Sequence, residues 1–166
     1  MTSLFPEDQI KFSHPIFRNV THLNLVWCQK VGSPKDEVKL DTLRKLKNLT
    51  HLSLGPAFVL EGMFSKWVGT IVSLGPESLR VFIFWISKPW YFSEKSQFLD
   101  DIKAIYEGRV DMRVVIGSMG SQPVGKYAFE RSKEDVLRDR AGIPDGKDFW
   151  ALAESMIEER RRRIAL

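Results

Sequence analysis

Phe17-Arg-Asn-Val-Thr-His-Leu-Asn-Leu25 and Leu46-Lys-Asn-Leu-Thr-His-Leu-Ser-Leu54 stand 29 residues apart and share Asn, Thr, His, Leu and the closing Leu. A third copy, Ser78-Leu-Arg-Val-Phe-Ile-Phe84, begins 30 residues after Asn48. The apolar skeleton of the three is Val20-x-x-Leu23-x-Leu25, Leu49-x-x-Leu52-x-Leu54 and Leu79-x-x-Phe82-x-Phe84. Alternation with period two marks each copy as a strand with one face buried. A fixed spacing of this length is the mark of a repeat architecture, in which each unit buries its apolar side against its neighbours. A fourth strand, near Met112 to Ile116, falls at the right distance without the lettering.

The spacers carry helical signals, as parallel strands require of their crossovers. Ser33-Pro34-Lys35-Asp36 offers an N-cap, a proline at the first helical position and an early acid, with Val38, Leu43 and Leu46 turned inward. Phe64, Trp67, Val68 and Ile71 form the stripe of the second spacer, which runs from Phe58 to Val72. In the third, from Ser93, the residues Phe98, Ile102 and Ile105 share one face. The fold expected is α/β, with parallel strands covered by helices on the convex side.

The L-x-x-L-x-L core resembles the leucine-rich repeat, and Cys28 stands three residues after Leu25, where that family often has Cys or Asn. The spacing resembles the longer repeats of ribonuclease-inhibitor-like and F-box leucine-rich-repeat proteins. Together with the closing Asp148-Phe-Trp150-x-x-Ala-Glu154 helix, it looks like the C-terminal region of fungal F-box-like proteins. The resemblance implies recognition of substrates for ubiquitin ligation. An F-box needs some forty residues of helical sequence and has no room before Phe17, so such a role would run through another subunit.

Three stretches follow from this reading: a solenoid of three to four repeats over 1–116, a loop and charged linker over 117–146, and an amphipathic helix over 147–166. That helix has Phe149, Ala153, Met156 or Ile157, and Ile164 as its apolar face. It is expected to cap the solenoid or to fold back as a brace across the repeats. Which side of the sheet it covers is left open. At the other end, Leu4, Phe5, Ile10 and Phe12 are the apolar residues available before the first strand.

Composition narrows the function classes. The 166 residues are 43% hydrophobic and 28% charged, as in an ordinary globular domain. One cysteine excludes an internal disulfide framework, and no secretory or membrane-spanning stretch is legible, so a cytoplasmic or nuclear location is expected. The net charge of +4 is carried by Arg160 to Arg163, which argues against a diffuse nucleic-acid-binding field. With Glu158 and Glu159 one turn earlier, the arginine run reads as a solvated helix end.

With Leu23 and Leu25 turned inward, His22, Asn24, His51, Ser53, Val81, Ile83 and Trp85 face the other way. They would form a patch grading from polar to apolar, which suits a protein partner unless the C-terminal segment folds over it. His22 and His51 become stacked neighbours. Two imidazoles do not fill a tetrahedral metal site, the third strand has Val81 at that register, and His14 has no fixed relation to them. Gly120-Ser-Gln-Pro-Val-Gly-Lys126-Tyr127 nearly spells a phosphate loop, but Tyr127 lacks the small hydroxyl that holds magnesium. Nucleotide binding there is the competing reading, and a degenerate fragment without selected activity is another. Cys28 reads as a buried thiol, and the Asn19-Val-Thr21 and Asn48-Leu-Thr50 sequons lie at strand entries. No catalytic residue and no cofactor is expected. The functional expectation is a non-enzymatic protein-interaction module, with no membrane, nucleic-acid or small-molecule partner.

Overall fold

The computed structural model describes residues 12–26, 40–55, 64–87, 97–119, 127–132, 134–135 and 148–165. Five strands, β1 (His22–Val26), β2 (His51–Gly55), β3 (Val81–Ser87), β4 (Val114–Met119) and β5 (Phe129–Arg131), form one sheet in sequential order. Every neighbouring pair is parallel. The repeat spacing becomes the register: His22 lies opposite His51, and His51 opposite Val81.

Alternation then sends two sets of side chains to opposite faces. Leu52 and Leu54 of β2, Phe82, Phe84 and Ile86 of β3, and Val114 and Ile116 of β4 enter the main core. Helix α1 (Phe64–Leu74) covers that face with Phe64, Val68, Ile71 and Val72. Helix α2 (Gln97–Tyr106) adds Ile102 and Ile105. The two helices are joined through Asp101, a buried carboxylate that accepts from the Ser65 hydroxyl at 2.9 Å. Between β1 and β2 the described crossover is a 3₁₀ segment, Leu40–Lys45, with Leu43 in the core. The N-cap expected at Ser33 and Pro34 lies outside the described residues, as do Cys28, Leu4, Phe5 and Ile10, whereas Phe12 is in the core.

The opposite face carries a second, smaller core. Val81, Ile83 and Trp85 of β3 and Val115 of β4 meet Ala153 and Ile157 of α3 (Phe149–Ile164). The molecule is therefore layered helix, sheet, helix, and the C-terminal helix braces the face that α1 and α2 leave bare. Glycines make room for the largest side chain there. A Cβ on Gly117 would strike the Trp85 ring and one on Gly55 would strike the Trp85 Cβ, so both flanking strands are bare beside the indole.

Two boundaries differ from the sequence reading. Gly117, Ser118 and Met119 continue β4, and Phe129–Arg131, within the stretch read as linker, pairs as β5. The physical reason is local: Phe129 packs edge-on against Trp85 at 5.1 Å, which fixes a strand inside a run that is otherwise charged.

Candidate functional site

The repeated Thr-His pair builds the site. Thr21 and Thr50 close the entries of β1 and β2, where the Thr21 carbonyl accepts from the backbone N–H groups of Thr50 at 2.9 Å and His51 at 3.0 Å. The Thr50 carbonyl repeats the pattern with Arg80 and Val81. Side chains reinforce this ladder: Asn48 Nδ2 donates to the Arg18 carbonyl and Ser78 Oγ to the Leu49 carbonyl. Backbones held in register at this spacing bring like residues face to face. The imidazoles of His22 and His51 stack with centroids 4.1 Å apart and planes 7° apart. Each ring has its Nδ1 beside the hydroxyl of the preceding threonine, at 3.0 Å for His22 and 2.8 Å for His51.

Helix α3 begins above this stack. Asp148 caps it by accepting from the Trp150 N–H at 2.9 Å. The Trp150 ring then stands edge-on to both imidazoles, 5.4 Å from each. One turn later Glu154 Oε1 lies 3.0 Å from His51 Nε2. Next to the stack runs a polar chain: Trp85 Nε1 donates to Ser53 Oγ at 2.6 Å, and Ser53 Oγ donates to Asn24 Oδ1 at 3.1 Å. Arg131 lies over the ring of Phe149, with 4.4 Å from its guanidinium carbon to the centroid, and Phe149 packs against Trp85.

Of the seven residues expected to face a partner, His22 and Asn24 are exposed. His51, Ser53, Val81, Ile83 and Trp85 are buried, and Ile83 has no exposure at all. The apolar column is not an open docking face. Its area is taken by Ala153, Ile157 and the aromatic start of α3, because the chain's own apolar helix face covers it. What stays accessible is a strip of His22 and Asn24 bordered by Trp150 and Glu154. Beyond Glu154 a groove of about 580 Å³ continues between Arg80 and α3, lined with Glu158 and Arg161.

Partial burial, then the neighbouring His51, holds the His22 pKa below its ordinary value, against the opposing pull of Asp148 and Glu154. Among the described residues no group of three or more His, Cys, Asp or Glu side chains is arranged to hold a metal ion. His14 has its own task, its Nδ1 accepting from the Ile16 N–H at the first 3₁₀ turn. Residues 120–126 of the phosphate-loop-like segment lie outside the described residues, while the Tyr127 ring packs edge-on against Tyr106 at 5.4 Å. No described helix is long and apolar enough to cross a membrane.

Sequence reasoning missed Arg160. It belongs to the run read as a solvated helix end, yet it is buried and donates from Nη1 to the carbonyls of Met112 and Val114. The signal was present in the spacing. Ala153, Ile157 and Arg160 fall at i, i+4 and i+7 on one helical face, so the arginine continues the apolar stripe. Its neighbours behave as expected, with Arg161 and Arg162 both 3.7 Å from Glu158.

No family model matches the chain, and no curated protein or solved structure matches it either.

Proposed function

We propose that this chain is a non-enzymatic protein-interaction module built on short leucine-rich repeats, which recognises its partner through the strip formed by His22, Asn24, Trp150 and Glu154. The finer reading, recognition of substrates for ubiquitin ligation through another subunit, rests on the sequence resemblance alone. One observation carries the interaction reading: His22 and Asn24 are exposed on a strand whose other face packs into the main core. Side chains mounted on a parallel sheet and already fixed by hydrogen bonds lose little freedom on binding. Trp150 adds an aromatic ring at the border, the residue type that anchors many interfaces.

The test compares wild type with Asn24→Arg, which places a long cation on the strip, and Lys66→Glu on the exposed side of α1. Lys66→Glu should melt with wild type, whereas Asn24→Arg, which removes the acceptor of the buried Ser53 hydroxyl, should cost about 1–2 kcal/mol, so capture is compared at a temperature where all three are folded. Capture from native extract should yield a protein retained by Lys66→Glu and lost by Asn24→Arg. A ubiquitin-ligase subunit in that set would support the finer reading. Equal capture by all three, or none by any, would overturn the strip as an interaction site.

A further inference from the structure

The second and third repeats use the same groups to reach the strand before them. Asn48 Nδ2 donates to the Arg18 carbonyl, and the Thr50 and His51 N–H groups donate to the Thr21 carbonyl. One repeat on, Ser78 Oγ donates to the Leu49 carbonyl, and the Arg80 and Val81 N–H groups donate to the Thr50 carbonyl. In the first repeat these places are held by Asn19, Thr21 and His22, and β1 ends the sheet. The Thr21 carbonyl faces β2, so alternation along the strand turns the backbone N–H and C=O groups of His22 and Asn24 to the open edge. Asn19 is exposed, and its side chain has no hydrogen-bond partner among the described residues.

The apolar row beside this edge is also one neighbour short. Val20, Leu23 and Leu25 are half-buried, whereas Leu49, Leu52 and Leu54, at the same places one repeat later, are sealed in the main core. On the opposite face His22 stacks one side of its ring on His51 and stays exposed. Strands that end a sheet are commonly blunted by charge, proline, brevity or a bulge. The β5 edge follows that rule, with three residues that include Glu130 and Arg131. The five residues of β1 hold no proline and no Asp, Glu, Lys or Arg, and they pair with β2 without a break.

We infer that the β1 edge takes an extended segment of a partner chain, which joins the five-stranded sheet as a further parallel strand. The repeat ladder fixes what this segment offers: carbonyls for the His22 N–H and Asn19 Nδ2, a flat side chain opposite His22, and apolar residues opposite Leu23 and Leu25. The free edge of a second copy of this chain does not meet those terms. Its Glu130 is in register with Ser118, on the face that Val114 and Ile116 turn to the main core, and would be set against the leucine row. This mode of binding deepens the interaction reading and rests on it for a natural partner; a defined peptide tests the edge by itself.

The probe is a capped synthetic peptide with the sequence of residues 46–55, which carries His, Leu and Leu at the required places, added to the full chain. Amide exchange at His22 and Asn24 should be fast in the free protein and slow by at least about tenfold with the peptide bound. A nitroxide on the peptide's N-terminus should broaden Thr21 and His22 more than Val26, as a parallel strand requires. The same peptide with Leu52→Glu and Leu54→Glu should not bind. Asn19→Ala should melt with wild type yet bind the peptide about threefold more weakly, whereas Asn48→Ala, which loses the bond to the Arg18 carbonyl, should melt lower. Protection of His22 and Asn24 in the free protein, or equal destabilisation by Asn19→Ala and Asn48→Ala, would show that the chain closes its own edge and would overturn the proposal. An antiparallel broadening pattern, or no slowing at either amide, would overturn it too. Peptide binding alongside equal native capture by wild type and Asn24→Arg would keep the edge and sink only the strip. No peptide effect alongside capture lost in Asn24→Arg would do the reverse.

Discussion

Arg160 reaches from α3 to the start of β4, where its Nη1 donates to the Met112 and Val114 carbonyls, each at 2.9 Å. These bonds pin the distal half of the C-terminal helix to the sheet, and the arginine is buried while doing so. Burial and the nearby Arg163 lower its pKa, while Tyr106 and Asp111 favour the charge. Removing the side chain leaves the buried Val114 carbonyl and the half-buried Met112 carbonyl without this donor. Arg160→Met, which keeps the length of the stem, should cost about 2–4 kcal/mol. Arg161→Ala, one position on and exposed, should change stability by less than about 0.5 kcal/mol. Urea unfolding of the two variants measures both. Equal effects would mean that the arginine run is a solvated end after all.

Stability should fall in mild acid because of His22. Its folded pKa is lowered from 6.5, so below that value the unfolded chain binds a proton that the folded chain resists. The contribution is complete above the unfolded value and is lost as pH falls through 6.5 toward the folded pKa. Unfolding free energies measured from about pH 8 to about pH 5 should decline in wild type. The decline should be shallower in His22→Asn. A steeper or identical slope in the variant would assign the acid sensitivity elsewhere.

A second, lower window belongs to Asp111. Burial pushes its pKa up, but the hydrogen bonds and charge of Arg113 outweigh this and hold it below 3.8. The carboxylate takes the Arg113 guanidinium in a fork, with Oδ1 to Nε at 3.0 Å and Oδ2 to Nη2 at 2.9 Å. Oδ1 also accepts the Arg113 backbone N–H at 2.8 Å. A lowered carboxylate contributes stability above its unfolded value and loses it as pH falls through the folded one. Asp111→Asn should therefore cost about 1–2 kcal/mol at neutral pH and progressively less as pH falls below 3.8. A cost that stays constant over that range would show the fork to be a matter of shape, not charge.

The strand register and the stacked histidines were legible because a repeat converts sequence spacing directly into cross-strand pairing. His22 opposite His51 needs nothing beyond the 29-residue offset and parallel strands. The stripes of α1 and α2 were legible for the same kind of reason, since each is amphipathic toward a single core. What lay hidden was which face α3 would cover. Both its stripe and the Val81–Ile83–Trp85 column announce themselves as apolar, and periodicity cannot say whether they meet each other or something else. Arg160 escaped because a charge inside a run of charges reads as solvated unless the helical phase is followed through it. Strand β5 escaped because three residues, of which Phe129 alone is apolar, leave no period to detect.

The closed face makes a last prediction about glycine. Gly117 is buried on β4, and an added Cβ would collide with the six-membered ring of Trp85. The indole has no room to give, because Phe129 and Phe149 pack edge-on against it at 5.1 and 5.8 Å and Nε1 is bonded to Ser53. Gly117→Ala should thus destabilise by about 1–3 kcal/mol through overpacking. Gly69 in α1 is the counter-case, for its Cβ would meet only Val110 Cγ1 at 3.7 Å, an ordinary contact. There the gain in helix propensity should win, and Gly69→Ala should raise stability by up to about 1 kcal/mol. Thermal melts of the pair should move in opposite directions. If Gly117→Ala melts with or above wild type, the indole does not occupy the slot between β2 and β4, and the face beneath α3 is more open than these contacts allow.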